Sequence, residues 1–79
     1  MSELAFVVYD RKSPRHNWQC MVRTAAQQHA EQCARIWHQR ATQTAGWEQY
    51  EQRTATFPNS RDACDAPDTL PRNHRWGGA

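Results

Sequence analysis

Seventy-nine residues, 38% of them hydrophobic, make one domain with a thin core, because a chain this short buries only ~60% of its unfolded surface. Ten basic against eight acidic residues leave a net charge of +2, which excludes a strongly acidic mimic of DNA and is too small to establish nucleic-acid binding by field alone. Lys12 is the only lysine beside nine arginines, so cationic contacts are expected to be planar, bidentate or stacked.

The first element is the apolar run LAFVVY, Leu4 to Tyr9. It is rich in β-branched and aromatic residues on both faces, which reads as a covered strand. Asp10 to Asn17 is a turn segment around Pro14. Trp18 to Arg23 alternates Trp18, Cys20 and Val22 with Gln19, Met21 and Arg23, which predicts a half-buried strand antiparallel to the first.

Thr24 to Gly46 follows as one long amphipathic helix. Thr24 and Gln27 have capping-box spacing, alanine recurs throughout, and Gly46 is placed to end the helix. At about 100° per residue, Ala26, Ala30, Cys33, Ile36, Trp37 and Ala41 share an arc opposite Gln28, Glu31, Gln32, Arg35, Gln39 and Thr42. A face of small side chains suits close packing on a sheet. Trp47 to Phe57 carries 3-4-3 spacing compatible with a helix, but RTATF has strand propensity, and a strand from about Glu48 to Phe57 is the preferred reading.

After Phe57 the composition changes. Pro58, Pro67, Pro71, Gly77 and Gly78 interrupt any long element. Ser60 is placed to cap a short helical turn, and only Cys64, Leu70 and Trp76 are suited to anchor the segment. By composition the last dozen residues read as flexible. The expected organisation is an α+β core over residues 1–57, a three-stranded antiparallel sheet with one helix on one face (β-β-α-β), and a Pro-rich tail over residues 58–79. The expected core is Leu4, Phe6, Val8, Cys20, Val22, Ala26, Ala30, Cys33, Trp37 and Phe57.

No apolar run is long enough to span a membrane, and MSELAFVVYD lacks the basic start and cleavage site of a signal peptide. Three cysteines without regular spacing do not form a disulfide framework, which points to a reducing, cytoplasmic setting. His29 and Cys33 have a spacing that can put two ligands on one ion, with Cys20, Cys64, His38 and His74 as further donors. No C-x2-C or H-x3-H pair accompanies them, and Cys20 and Cys33 read more simply as small core residues. No cofactor or metal is expected. Catalysis is not expected either: no nucleophile motif, phosphate loop or inward carboxylate pair is present.

Two binding readings remain. Arg11, Lys12, Arg15 and His16 form a basic patch at a hairpin tip beside Trp18, a combination that can hold phosphates and stack a base. The plainer view is a solvated loop. The second reading is protein binding. Four tryptophans are many for a thin core, and Trp and Arg dominate interface hot spots. The candidate contact residues are Arg11, Lys12, Arg15, His16, Trp18, Arg35 and Trp76.

The layout of strand, hairpin, strand, Thr-capped helix and strand, with MVRTAAQQHAEQCA at the strand–helix junction, resembles several small phage-encoded anti-CRISPR proteins over Leu4 to Phe57. That resemblance implies a stoichiometric inhibitor, working in the host cytoplasm, that occludes a surface of a bacterial defence nucleoprotein or nuclease and carries no catalytic residues. The alternative is a small accessory protein that contacts nucleic acid through the Arg11–His16 loop. No membrane partner is expected, and a homodimer remains open.

Overall fold

The computed structural model describes residues 4–76. The elements are β1 (Ala5–Arg11), β2 (Trp18–Thr24), α1 (Gln27–Thr42), β3 (Glu51–Phe57), α2 (Ser60–Asp65) and β4 (Thr69–Leu70). The architecture is α+β with an antiparallel sheet, but the sheet has four strands in the order β3-β1-β2-β4 and there are two helices. The expectation of three strands and one helix is corrected by the chain beyond Phe57. There Asn59 accepts from the Asp62 amide at 2.8 Å to cap α2, and Thr69 and Leu70 pair with Gln19 and Trp18.

β1 is central and covered on both faces, as its unbroken apolar run requires. Phe6 and Val8 pack with Ala30 under α1, joined by Met21, Val22 and Ala34. Ala5, Val7 and Tyr9 form the larger core on the other face with Trp18, Ala63 and Leu70. Cys20, Ala55, Phe57 and Trp76 pack against that second core. The sheet is therefore a middle layer between α1 and a cover made of α2, β4 and the segment to Trp76.

A bulge decides which β2 residues face which layer. Val8 pairs with Val22, but Tyr9 pairs with Cys20, so Met21 is the extra residue. An extra residue switches the alternation. Val22 therefore joins the α1 face, while Trp18 and Cys20 join the opposite one. The uniform alternation expected along Trp18–Arg23 fails at that point, and Arg23 turns toward the cover.

The helix is shorter than Thr24–Gly46. Thr24 ends β2 opposite Phe6, and its hydroxyl accepts from the Ala26 amide at 3.0 Å, a local turn that competes with helix. Ala26, not Thr24, is the N-cap, and it makes no side-chain cap hydrogen bond. At the other end the Thr42 and Thr44 hydroxyls donate to the His38 and Arg40 carbonyls. Gly46 takes φ +91° in the turn that follows, beyond the helix end.

The α1 contact arc is Ala30, Ala34 and Ala41. Trp37 shares their angular sector but is 47% exposed, Ile36 is 40% exposed and Leu4 46%; Ala26 is exposed as well. Leu4, Ala26 and Trp37 are corrected as core members, and Ile36, expected only on the apolar arc, is exposed with them. The contact with the sheet is made by alanines, and Trp37, at the edge of their arc, lies outward with the Arg40 guanidinium 5.7 Å from its ring.

Candidate partner-binding surfaces

The hairpin tip, residues 12–17, closes with the His16 amide donating to the Ser13 carbonyl at 3.0 Å and a 2.8 Å Ser13 Oγ–His16 Nδ1 contact. Arg15 and His16 are exposed, and Lys12 lies over Trp47, its Nζ 5.3 Å from the ring centroid. Glu48 lines the same depression as Lys12, Arg15 and His16, so the patch carries a carboxylate. The Gly46 amide donates to that carboxylate and lowers its pKa.

Arg11 is not part of the free patch. Its Nε donates to Glu51 Oε1 at 2.7 Å, its Nη1 to the Arg72 carbonyl at 2.9 Å, and its guanidinium stacks 4.1 Å from the Trp18 ring centroid. Trp18 itself is 3% exposed, so it cannot stack a base or reach a partner. Both are removed from the candidate contact set.

Trp76 is half-buried at the centre of an aromatic cluster. It meets Trp18 edge-on at 5.2 Å, Tyr9 tilted at 5.8 Å and His74 edge-on at 4.8 Å. The segment leading to it is tied down repeatedly. Tyr9 donates to the Pro67 carbonyl at 2.6 Å, Cys20 N to the Asp68 carbonyl at 2.8 Å, and Arg72 N to Asn17 Oδ1 at 3.0 Å. Arg23 reaches the Ala66 carbonyl and the Asp68 carboxylate. The flexibility suggested by composition does not describe residues 68–76; residues 77–79 lie outside the described chain. Burial keeps the Tyr9 and Cys20 pKa values above their ordinary range, so both remain neutral beside Arg23.

Arg35 is exposed on the outer side of α1, with Gln28, Glu31, Gln32, Ile36 and Gln39. The missed residues are its neighbours Ile36 and Trp37. The flank of α1 toward β3 is fixed by Gln52, which donates to the Ala34 carbonyl at 2.6 Å, and by His38 against Tyr50. The opposite flank, with Cys33, Trp37 and Arg40, therefore overhangs β2, where Met21 and Val22 are only half-buried. Cys33 and His29 on that flank sit 3.7 Å apart, and no third metal-ligating side chain joins them among the described residues.

Under α1, Tyr50 donates to Asp10 Oδ2 at 2.8 Å and accepts from Gln52 at 2.9 Å. Desolvation raises the Tyr50 pKa and, against the stabilising Tyr50 bond, raises that of Asp10 above 3.8. A carboxyl whose folded pKa is raised loses stability as pH climbs from its unfolded value through its folded one. Asparagine can accept the same Tyr50 bond without charge. Asp10→Asn is therefore expected to match the wild type below pH 3.8 and to gain on it toward neutrality. Urea unfolding of both chains across that range checks the sign; a gain that grows as pH falls refutes it.

No protein-family model matches this chain, and neither does any curated protein or solved structure. No helix among the described residues is long and apolar enough to cross a membrane.

Proposed function

We propose that the chain is a non-enzymatic binding protein, a stoichiometric inhibitor of a bacterial defence nucleoprotein or nuclease that covers a docking surface of its target. The observation that carries the binding reading is the exposure of Trp37 and Ile36, side by side on α1, at 47% and 40%. Trp37, left in water on the flank over the half-buried Met21 and Val22, with Ile36 on the adjoining outer side, is suited to an interface anchor. Arg35 and Arg40 flank them, with Glu31 beside Arg35, so the complementary surface is an apolar cleft whose rim carries carboxylates opposite the two arginines. The target class is carried by the layout that resembles anti-CRISPR proteins, and occlusion requires no reacting group on this chain.

Direct nucleic-acid binding through the hairpin loop has less support. With Arg11 held by Glu51 and Trp18 under the cover, Lys12, Arg15 and His16 remain, beside Glu48.

The test is titration of the purified chain into a purified bacterial CRISPR effector complex, read by native mass spectrometry and calorimetry. A saturable complex of fixed stoichiometry is expected. Trp37→Ala should weaken it by at least ~10-fold, about 1.4 kcal/mol, and should change the unfolding free energy by no more than ~1 kcal/mol. Turnover by the isolated chain, or a complex indifferent to both Trp37→Ala and Ile36→Ala, would sink this reading.

A further inference from the structure

The sheet ends on β3, and nothing among the described residues pairs with its outer side. The strand is a regular one. Its register with β1 is unbroken from Glu51 to Phe57, unlike the bulged pairing of β1 with β2, and Pro58 comes only after its last residue. Edge strands are commonly blunted by proline, a bulge, very short length or charged side chains; β3 carries only the last, Glu51 and Arg53, and Glu51 is held by Arg11. Its outward N–H and C=O groups are a template for one more strand.

The surface beside that edge is shaped and charged. Arg53, Ala55 and Phe57 pair with Tyr9, Val7 and Ala5, which places them on the face covered by α2 and Trp76. There a groove of ≈ 710 Å³ runs along β3 toward Leu70 and Trp76. Ala55 is a notch between two large neighbours. The basic side chains on the groove are Arg53, whose guanidinium lies 5.9 Å from the Trp76 ring centroid, and His74; among the described residues no carboxylate lines it.

We propose that the β3 edge and this groove bind an extended acidic peptide strand, antiparallel to β3, with the pattern apolar-x-apolar-x-acidic read toward its C-terminus. The direction follows from the register. Antiparallel residues opposite Phe57, Ala55 and Arg53 occur in that order along the guest and on one face, because side chains alternate. The two apolar residues cover Phe57 and fill the notch at Ala55, and the acidic one meets Arg53. A second copy of this chain fits poorly. The fullest pairing of β3 with itself, centred on Thr54, sets Glu51 against Phe57. The register that matches Arg53 with Glu51 competes with Arg11, which already holds that carboxylate at 2.6 Å.

The probe is a short acetylated peptide carrying valine-threonine-valine-threonine-glutamate, with a second in which lysine replaces the glutamate. Full-length chain, isotope-labelled, is titrated with each, and backbone amide exchange is followed by NMR. Saturable slowing of β3 amides and a shift of the Trp76 indole signal are expected with the glutamate peptide. The lysine peptide should bind ~3–5-fold more weakly, the scale of one rim charge pair. Arg53→Glu should reverse that order and Arg53→Gln should abolish the preference, so one variant serves if the other folds poorly. Slowed exchange confined to other elements, an unchanged order in the variants, or no saturable binding would overturn the proposal. So would β3 protection without peptide that grows with protein concentration, which would assign the edge to a second copy. Trp37→Ala should bind the peptide unchanged, so this test fails or succeeds independently of the α1 surface.

Discussion

Trp18→Ala is expected to lower the unfolding free energy by ~3–5 kcal/mol, the range for removing a buried tryptophan with partial collapse of the cavity. Trp18 is 3% exposed and touches every part of its layer. It pairs with Leu70 across β2 and β4, meets Trp76 edge-on at 5.2 Å and carries the Arg11 guanidinium on its ring. A domain of this size has total stability on the order of 4–12 kcal/mol, so the variant sits near the limit of folding. Its melting temperature should fall by more than ~12 °C. The loss should be local as well as global. Near-ultraviolet dichroism from the stacked indoles should diminish, and amide exchange should accelerate first in β4 and the residues around Trp76. Trp37→Ala is the matched control, because the same side chain is deleted from a half-exposed site. If the two variants melt together, the core does not lie between β1 and the C-terminal cover.

That contrast also shows what a sequence conveys. The alanine spacing of α1 and the β-branched run of β1 are local signals, and both elements form around them, α1 ending short of its expected caps and β1 running on to Arg11. Periodicity gives a direction around a helix axis but no distance to the next layer. Trp37 therefore points with Ala30 and Ala41 and still lies outside the contact that the alanines make. Met21 carries no mark of a bulge, yet it reverses the facing of Trp18 and Cys20 relative to Val22 and so brings them to the face of Arg23. Pro67 and Pro71 were legible as breakers. What they bracket is a strand of two residues whose support is all long-range: the Tyr9 hydroxyl on Pro67, the Cys20 amide on Asp68, and Arg23 on Asp68. The surplus of tryptophan pointed to an interface. Trp18 and Trp76 instead build a second core, and the exposed indole is the one assigned to the helix face. Arg15, His16 and Arg35 are exposed. Arg11 could not be separated from them by sequence, because its partners Glu51 and Arg72 are distant along the chain.

Arg11→Ala is accordingly expected to act on stability, not on a partner, and to cost ~2–3 kcal/mol. Charge-assisted hydrogen bonds contribute about 1.5–3 kcal/mol when the groups are sheltered, and the Arg11 side chain is 11% exposed. The loss stays below that of a fully buried pair because Glu51, 42% exposed, can rehydrate when left alone. Three connections go together: β1 to β3 through Glu51, β1 to the C-terminal segment through the Arg72 carbonyl, and the stack on Trp18. Arg11→Lys should recover only a part of the loss, because an ammonium cannot reach Glu51 and Arg72 at once in a planar fork or lie flat on the indole. The double variant Arg11→Ala with Glu51→Ala should be less destabilised than the sum of its singles, since each removes the same contact. Arg15→Ala, one turn away on the hairpin tip, should stay within ~0.5 kcal/mol of the wild type. Chemical unfolding of the wild type and these five variants, Glu51→Ala alone included, decides the matter. Equal stability of Arg11→Ala and Arg15→Ala would return Arg11 to the exposed basic patch and restore the hairpin tip as a phosphate-binding candidate.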